Sequence, residues 1–442
     1  MRRLSMLNRR DILKTSSCGF GLLALNSILA QDTTDFAPKA KRVIFMYMNG
    51  APSHVDTFDY KPLMVEKNGI DDPISKGRKI VKPTVPLTPA GDSGIEISEL
   101  FPELRKHADD LCLLNGMTSK TGNHQQARSL LHTGNFQFSR PSMGSWLLYG
   151  LGTDNQELPG FITIDASVSP DNYGSAFLPA VYQGTAINGG NSGNAIPNLK
   201  NNTITRDIQR NNLDLLYDLN NIKLQNDVEN SRLNGLIESY ELAFKMQMSV
   251  PNVIDISKES KETLERYGIG QKGVEKFGRQ CLLAKKFSEA GVRFVEIGHG
   301  GWDMHQNIDA SLKNQAYNID KPIAALLEDL KNDGMLDDTL VIWGGEFGRT
   351  PGMKDGATGR DHNNSGFSMW MAGGGVKGGM KHGSTDDFGH KAVDSIDMHD
   401  LHATILYLMG IDHSKLTYRY SGRDFRLTDV FGDIQHDIIK GA

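Results

Sequence analysis

Two stretches of the chain set acids and histidines just past short apolar runs. Arg293 to His305 passes from Phe294, Val295, Glu296 and Ile297 through paired glycines to Trp302, Asp303, Met304 and His305. Thr339 to Pro351 passes from Leu340, Val341, Ile342 and Trp343 through Gly344 and Gly345 to Glu346, Phe347 and Arg349, and Arg360, Asp361 and His362 follow. In each, a β-rich run breaks at Gly-Gly and delivers an acid beyond the strand's end, where open α/β sheets place ligands and catalytic groups. Asp303 and His305 are two apart, so in an extended segment they face the same way. Asp plus His, completed by the distant His362, is an ordinary ligand set for zinc and for manganese-like or iron-like ions. Glu346 is placed to bridge to a second ion or to act as a base. Two plainer readings compete: Asp303 caps the next helix with His305 on the surface, and Glu346 pairs with Arg349 or Arg360.

Other residues offer weaker chemistry. Asn123 is an expected N-cap for a helix running through Gln125 to Leu131, which would set His124 beside free backbone amides, a position suited to anions. Ser53, His54 and Asp56 have the residue types of a hydrolase triad, but triad members usually come from separate loops. Ser53 is expected to start a turn, with His54 or Asp56 pointing into the site mouth. Asp397 to His402 opens a helix capped by Asp397 or Asp400, with His399 as an outside candidate ligand.

The elements that must position these groups alternate between strand and helix. Lys41 to Met48 and Leu111 to Asn115 are continuous apolar runs of strand length, as buried central strands require. Phe161 to Ile164 is a further strand, and Tyr173 to Asn202 is a Gly/Asn-rich loop able to cover a site. Residues 206–248 carry apolar residues at helical spacing, which predicts an insertion of two amphipathic helices. Helices are expected from Gln280 to Ala290, Ile319 to Asn332 and Leu401 to Leu408. The whole predicts an α/β fold with a mostly parallel central sheet and helices on both faces.

The first thirty residues carry a different message. Asn8 to Lys14 holds Arg9 and Arg10 in a setting close to the twin-arginine pattern, and Cys18 to Ala30 is a short apolar segment ending at a cleavage point. Residues 1–30 are thus expected to be a twin-arginine signal peptide, with the twin-arginine translocase as partner during export and a periplasmic or extracellular product starting near Gln31. The apolar run is too short to make a stable membrane span. With 442 residues, 38% hydrophobic, 23% charged and a net charge of −5, the chain is an ordinary globular one, and nothing basic enough for nucleic acid is present. Outside the leader only Cys112 and Cys281 remain, both in apolar settings that suit buried thiols.

Tyr47 to Pro62, Gly300 to His305, Gly345 to Pro351, Gly359 to Asn363 and Ala372 to Gly378 resemble a large bacterial family of exported proteins, domain-of-unknown-function family 1501. That family is related to the alkaline phosphatase and sulfatase superfamily, and the resemblance runs from about residue 40 to residue 432. It implies a single alkaline phosphatase/sulfatase-like α/β domain. By this resemblance Asp303 and His305 match an acid and a His after a late strand, Glu346 and Phe347 match an Asp-His pair, and His362 matches a final His. One metal subsite is then intact. The second is altered, because Phe347 stands where a His would be and Asn49 where an Asp would end the first strand. His124 falls at the nucleophile position, where it can be nucleophile, ligand or vestige, with Thr118, Ser119 and Thr121 as substitutes in another register. No Cys-x-Pro-x-Arg sequence exists for formylglycine chemistry.

Two functions are compatible with these residues. The first is a metal-dependent hydrolase of phosphate or sulfate esters, on a small-molecule or polysaccharide substrate. In it Asp303, His305, His362 and Glu346 serve a divalent ion, zinc foremost with manganese or calcium as alternatives, and His124 and Glu346 are catalytic. The second is a non-catalytic periplasmic metal- or ligand-binding protein that retains the sulfatase-like fold.

Overall fold

The computed structural model describes residues 34–165, 169–189, 203–226 and 231–441. The expected leader, and residues 190–202 of the expected covering loop, lie outside them. Nine strands form the central sheet. They are β1 (Arg42–Met48), β2 (Leu111–Thr118), β3 (Phe161–Ile164), β4 (Thr185–Ile187), β5 (Phe294–His299), β6 (Thr339–Gly344), β7 (Phe367–Ala372), β8 (Met380–His382) and β9 (Ile396–Asp397). Their order across the sheet is β8, β2, β7, β6, β1, β5, β3, β4, and β9 also pairs with β2. Every pairing is parallel except those of β7, which runs antiparallel to both β2 and β6.

The continuous apolar runs explain why this sheet is sandwiched. In β1 every residue from Val43 to Met48 is buried, and alternate side chains enter two different cores. Ile44, Met46 and Met48 pack with Leu282 and Phe287 of α5 (Glu275–Glu289) and with Leu312 and Ile319 of α6 (Ile308–Asn332). Val43, Phe45 and Tyr47 face the opposite way. They pack with Leu130 and Leu131 of α1 (His124–Thr133), Trp146 of α2 (Met143–Leu151) and Leu401 of α7 (Met398–Leu408). Cys112 and Cys281 are both free and buried, one in each core.

Element boundaries depart from expectation in places. α6 begins well before Ile319, at Ile308, and runs through a buried Pro322. Its N-cap is Asn307, not Asp303. α7 begins at Met398, with Asp397 as the cap and Asp400 returning the bond to complete a capping box. In the 206–248 region the two helices are α3 (Arg206–Asn226) and α4 (Ser231–Ile254). Among the described residues no helix is long and apolar enough to cross a membrane.

Candidate metal centre

The site lies at one edge of the sheet because five adjacent strands present their ends there. β1 leads into Asn49 and Gly50, β5 into Asp303 and His305, β6 into Glu346 and Arg349, and β2 into the loop before His124. The antiparallel β7 starts at this same edge, so His362 just ahead of it arrives from the other chain direction. Arg349 and His362 are then fixed opposite each other by a two-residue antiparallel pairing. Close backbone approach completes the frame. Gly50, at φ 107°, comes so near that a Cβ there would lie 2.6 Å from the Asp303 amide nitrogen.

Asp303 Oδ1 is the hub. It lies 3.3 Å from His124 Nε2, 3.1 Å from His305 Nε2 and 3.3 Å from His362 Nε2. The donor atoms of His124, Asp303 and His362 all fall within 4.8 Å of one another. Donors about 2.0–2.1 Å from a tetrahedral ion lie roughly 3.3 Å apart, so this spacing matches a zinc-type shell. The segment carrying Asp303 and His305 is not the extended stretch expected from their spacing. It is a tight turn, with the Met304 amide donating to the Trp302 carbonyl (2.9 Å) and the His305 amide to the Asp303 carbonyl (3.2 Å).

The outer nitrogens of the three rings decide their orientation. His124 Nδ1 lies 2.6 Å from Glu346 Oε1, His305 Nδ1 lies 3.1 Å from Asp361 Oδ1, and His362 Nδ1 lies 2.7 Å from the Gly122 carbonyl. Carboxylates and carbonyls only accept, so each Nδ1 carries the proton and each Nε2 in the neutral ring keeps its lone pair. All three Nε2 atoms converge near Asp303. His124 Nε2, though 3.3 Å from the Asp303 carboxylate, is not aligned for a hydrogen bond and is left buried without one. His305 Nε2 and His362 Nε2 are only 2.9 Å apart. Two lone pairs at that separation repel unless a proton or a cation lies between them.

Glu346 sits behind His124, outside the donor group. It is fully buried, and besides His124 it accepts from the Tyr47 hydroxyl (3.1 Å) and the Gly50 amide (3.1 Å). Neither arginine pairs with it. Arg349, fully buried, donates to Asp303 Oδ1 at 2.5 Å and to the Gly50 carbonyl, and Arg360 is bound to Asp56. Burial pulls the Asp303 carboxyl upward, but the Arg349 guanidinium outweighs it and holds the group at about 2. For His124, burial pulls the ring downward, while the hydrogen bond and charge of Glu346 raise it above the ordinary histidine value. His362 is lowered by its burial, against the pull of the Gly122 carbonyl.

The remaining candidates stand apart. His54 and Asp56 are buried and do not reach the site mouth: His54 Nε2 lies 2.9 Å from the Gly389 carbonyl, and Asp56 is held by Arg360 and the Ser53 hydroxyl. Ser53 bonds Asp56 and not His54, so no triad forms. His399 has both ring nitrogens engaged, by Asp397 and by the Gly134 carbonyl, which removes it as a ligand. Thr118 bonds the Ile396 carbonyl and Thr121 bonds Gln126. Sequence reasoning missed Tyr47, the Gly122 carbonyl and the part played by Asp361. Asp361 had a legible signal, being the acid next to His362.

A family model described as "Protein of unknown function (DUF1501)" matches residues 40–439. The chain belongs to the DUF1501 family. No curated protein matches it. Among solved structures, this DUF1501 protein is similar to the lipoteichoic acid synthase LtaP from Listeria monocytogenes, at 10% identity over 92% of this chain and 80% of that one, with a TM-score of 0.38. It is similar also to the phosphonate monoester hydrolase SpPMH from Silicibacter pomeroyi (12% identity, 84% of this chain and 73% of that one, TM-score 0.38). A third is the alkaline phosphatase from the Antarctic bacterium TAB5 (11% identity, 76% and 92%, TM-score 0.33). In the DUF1501 chain Phe347 is fully buried and its ring packs 4.7 Å from the rings of both His124 and His362. The Asn49 amide lies 3.1 Å from the Tyr47 hydroxyl that faces Glu346.

Proposed function

We propose that this DUF1501 protein is a metal-dependent hydrolase of phosphate or sulfate esters, with His124, Asp303, His305 and His362 holding one divalent ion. The observation that carries this reading is the common orientation of three imidazoles, each with Nδ1 tethered from outside and Nε2 turned toward Asp303. Metal-ligating histidines are oriented in this way by their outer partners. The donors that group together fit: two imidazoles and one carboxylate, from His124, His362 and Asp303, suit zinc. His305 lies beside them, 3.1 Å from Asp303 and 2.9 Å from His362, and His124 Nε2 is a buried nitrogen lacking any other partner. An ion there supplies Lewis acidity toward an ester oxygen and an activated water as nucleophile.

The chain's own residues do the rest. Arg349 keeps Asp303 ionised and in place. Glu346 fixes the His124 tautomer, so His124 serves as a ligand in this reading, and Glu346 acts through it instead of bridging to a second ion. The substrate is an ester of a small molecule or a polysaccharide. The sequence of residues 1–30 supports export by the twin-arginine pathway to the periplasm or beyond.

A second reading, a non-catalytic metal- or ligand-binding protein, is supported by Phe347, a buried apolar ring packed on His124 and His362, which by the family resemblance stands where a second-subsite histidine would be. Assay of zinc-loaded and manganese-loaded protein on aryl phosphate and aryl sulfate esters separates the two. The hydrolase reading expects turnover that a chelator abolishes and added metal restores. Metal-loaded protein inert on both ester classes would leave the non-catalytic reading in its place.

A further inference from the structure

The inserted helix α3 is amphipathic in the opposite sense to a helix that rests on its own domain. Toward α4 it turns mainly charged and amide groups. Arg210 makes a two-pronged bond to Glu241 (2.8 and 2.5 Å), Gln209 accepts from Gln247 at 3.2 Å, and the guanidinium groups of Arg206 and Arg210 lie over the Phe244 ring. The aliphatic side chains point the other way. Ile208, Leu215, Leu216, Leu219 and Ile222 are between 44% (Leu216) and 59% (Leu215) exposed. Five half-exposed side chains of this size leave on the order of 400–500 Å² of apolar surface in one stripe, toward the upper end of what a monomer shows.

The spacing of the stripe says what covers it. Ile208, Asn212, Leu215, Leu219 and Ile222 follow one another at steps of four, three, four and three residues, which is the repeat of a coiled-coil seam. Asn212 decides the direction. In a parallel pair in register its amide meets its own copy, and each amide hydrogen-bonds the other. In an antiparallel pair the position of Asn212 faces Ile208, Leu215 or Ile222, which leaves the amide buried without a partner. Along α3, Asp207, Asp214 and Asp218 balance Arg206, Arg210 and Lys223. The helix therefore lacks the basic polar face of one that lies on an anionic membrane.

We propose that α3 is a dimerisation helix, two copies of this chain pairing their α3 seams in parallel and in register about a two-fold axis along the helices. The two stripes with their flanking polar atoms amount to about 1,000–1,200 Å² of buried surface, the low end for a specific interface, so the dimer is a weak one in the micromolar range. Sedimentation of the purified full-length protein from about 1 to 100 µM should show monomer passing to dimer. Leu215→Glu and Leu219→Glu each put a charge into the seam and should weaken the dimer by at least about 10-fold. Both side chains are exposed in the monomer, so circular dichroism and metal content should stay those of the wild type. Under mild oxidation the Ile208→Cys chain should form a disulfide-linked dimer, because the parallel register sets residue 208 beside its own copy. Cys112 and Cys281 are buried, and the unsubstituted chain is the blank. Protein that is monomeric throughout the range, a dimer that both glutamates leave unchanged, or an Ile208→Cys chain that does not cross-link would overturn the proposal. Monomeric protein that instead floats with phosphatidylglycerol vesicles would overturn it in favour of a membrane surface.

Discussion

At the scale of single residues, the proposed centre consists of candidate donors and the groups that orient their rings, and the two were unequally legible. Asp303, His305 and His362 announce themselves as acids and histidines past strand ends. Glu346 announces itself equally well, yet it stands behind His124, because residue type alone does not separate a ligand from the group that orients one. Tyr47 reads as one more apolar residue of a buried strand, and the Gly122 carbonyl has no side-chain signal at all. The layered arrangement makes a graded prediction. Glu346→Gln removes the buried charge facing His124 Nδ1, and outer partners of this kind are typically worth 10- to 100-fold in metal affinity. Asp361→Asn should cost less, since Asp361 is half-exposed and shared with Arg78 and Lys354. Competition with a chelating dye reads both. Equal affinity in Glu346→Gln and wild type would mean that His124 is not a ligand.

At the scale of elements, strand positions followed from apolar run length, and the helices on both faces followed from their alternation with strands. What escaped was set by packing. β7 is antiparallel, a choice that no local pattern encodes, and it is what brings His362 to the edge where β5 and β6 end. The early start of α6 and its passage through Pro322 are likewise decided by the core that the helix covers. The inserted helix α4 carries a testable consequence of burial. Glu238 is pushed up to about 7 by burial alone. The folded protein therefore keeps this proton up to about pH 7, whereas the unfolded chain releases it near the ordinary carboxylate value of 4.5. The folded state binds more protons across that window, so stability falls as pH rises through it and stays reduced above it. Glu238→Gln should match the wild type at pH 4 and exceed it at pH 8 by roughly 1–3 kcal/mol in urea unfolding. No gain at pH 8 would show Glu238 to be solvated.

At the scale of the whole molecule, a large α/β domain gathers groups from distant parts of the chain, residues 124, 303, 305 and 362, onto one edge of one sheet. The proposed twin-arginine leader would suit a protein exported already folded, with any metal inserted beforehand. Replacing Arg9 and Arg10 together by Lys should leave precursor in the cytoplasm on cell fractionation, and unchanged secretion would remove the twin-arginine assignment. All of this turns on the centre holding an ion. The most direct measurement is the metal content of purified protein by elemental mass spectrometry, before and after equilibration with zinc, alongside Asp303→Asn and His305→Ala. The account predicts about one divalent ion per wild-type chain and its loss from both variants, with circular dichroism unchanged. Wild-type protein that binds no ion at saturating zinc, or an Asp303→Asn protein that binds as well as wild type, would contradict it.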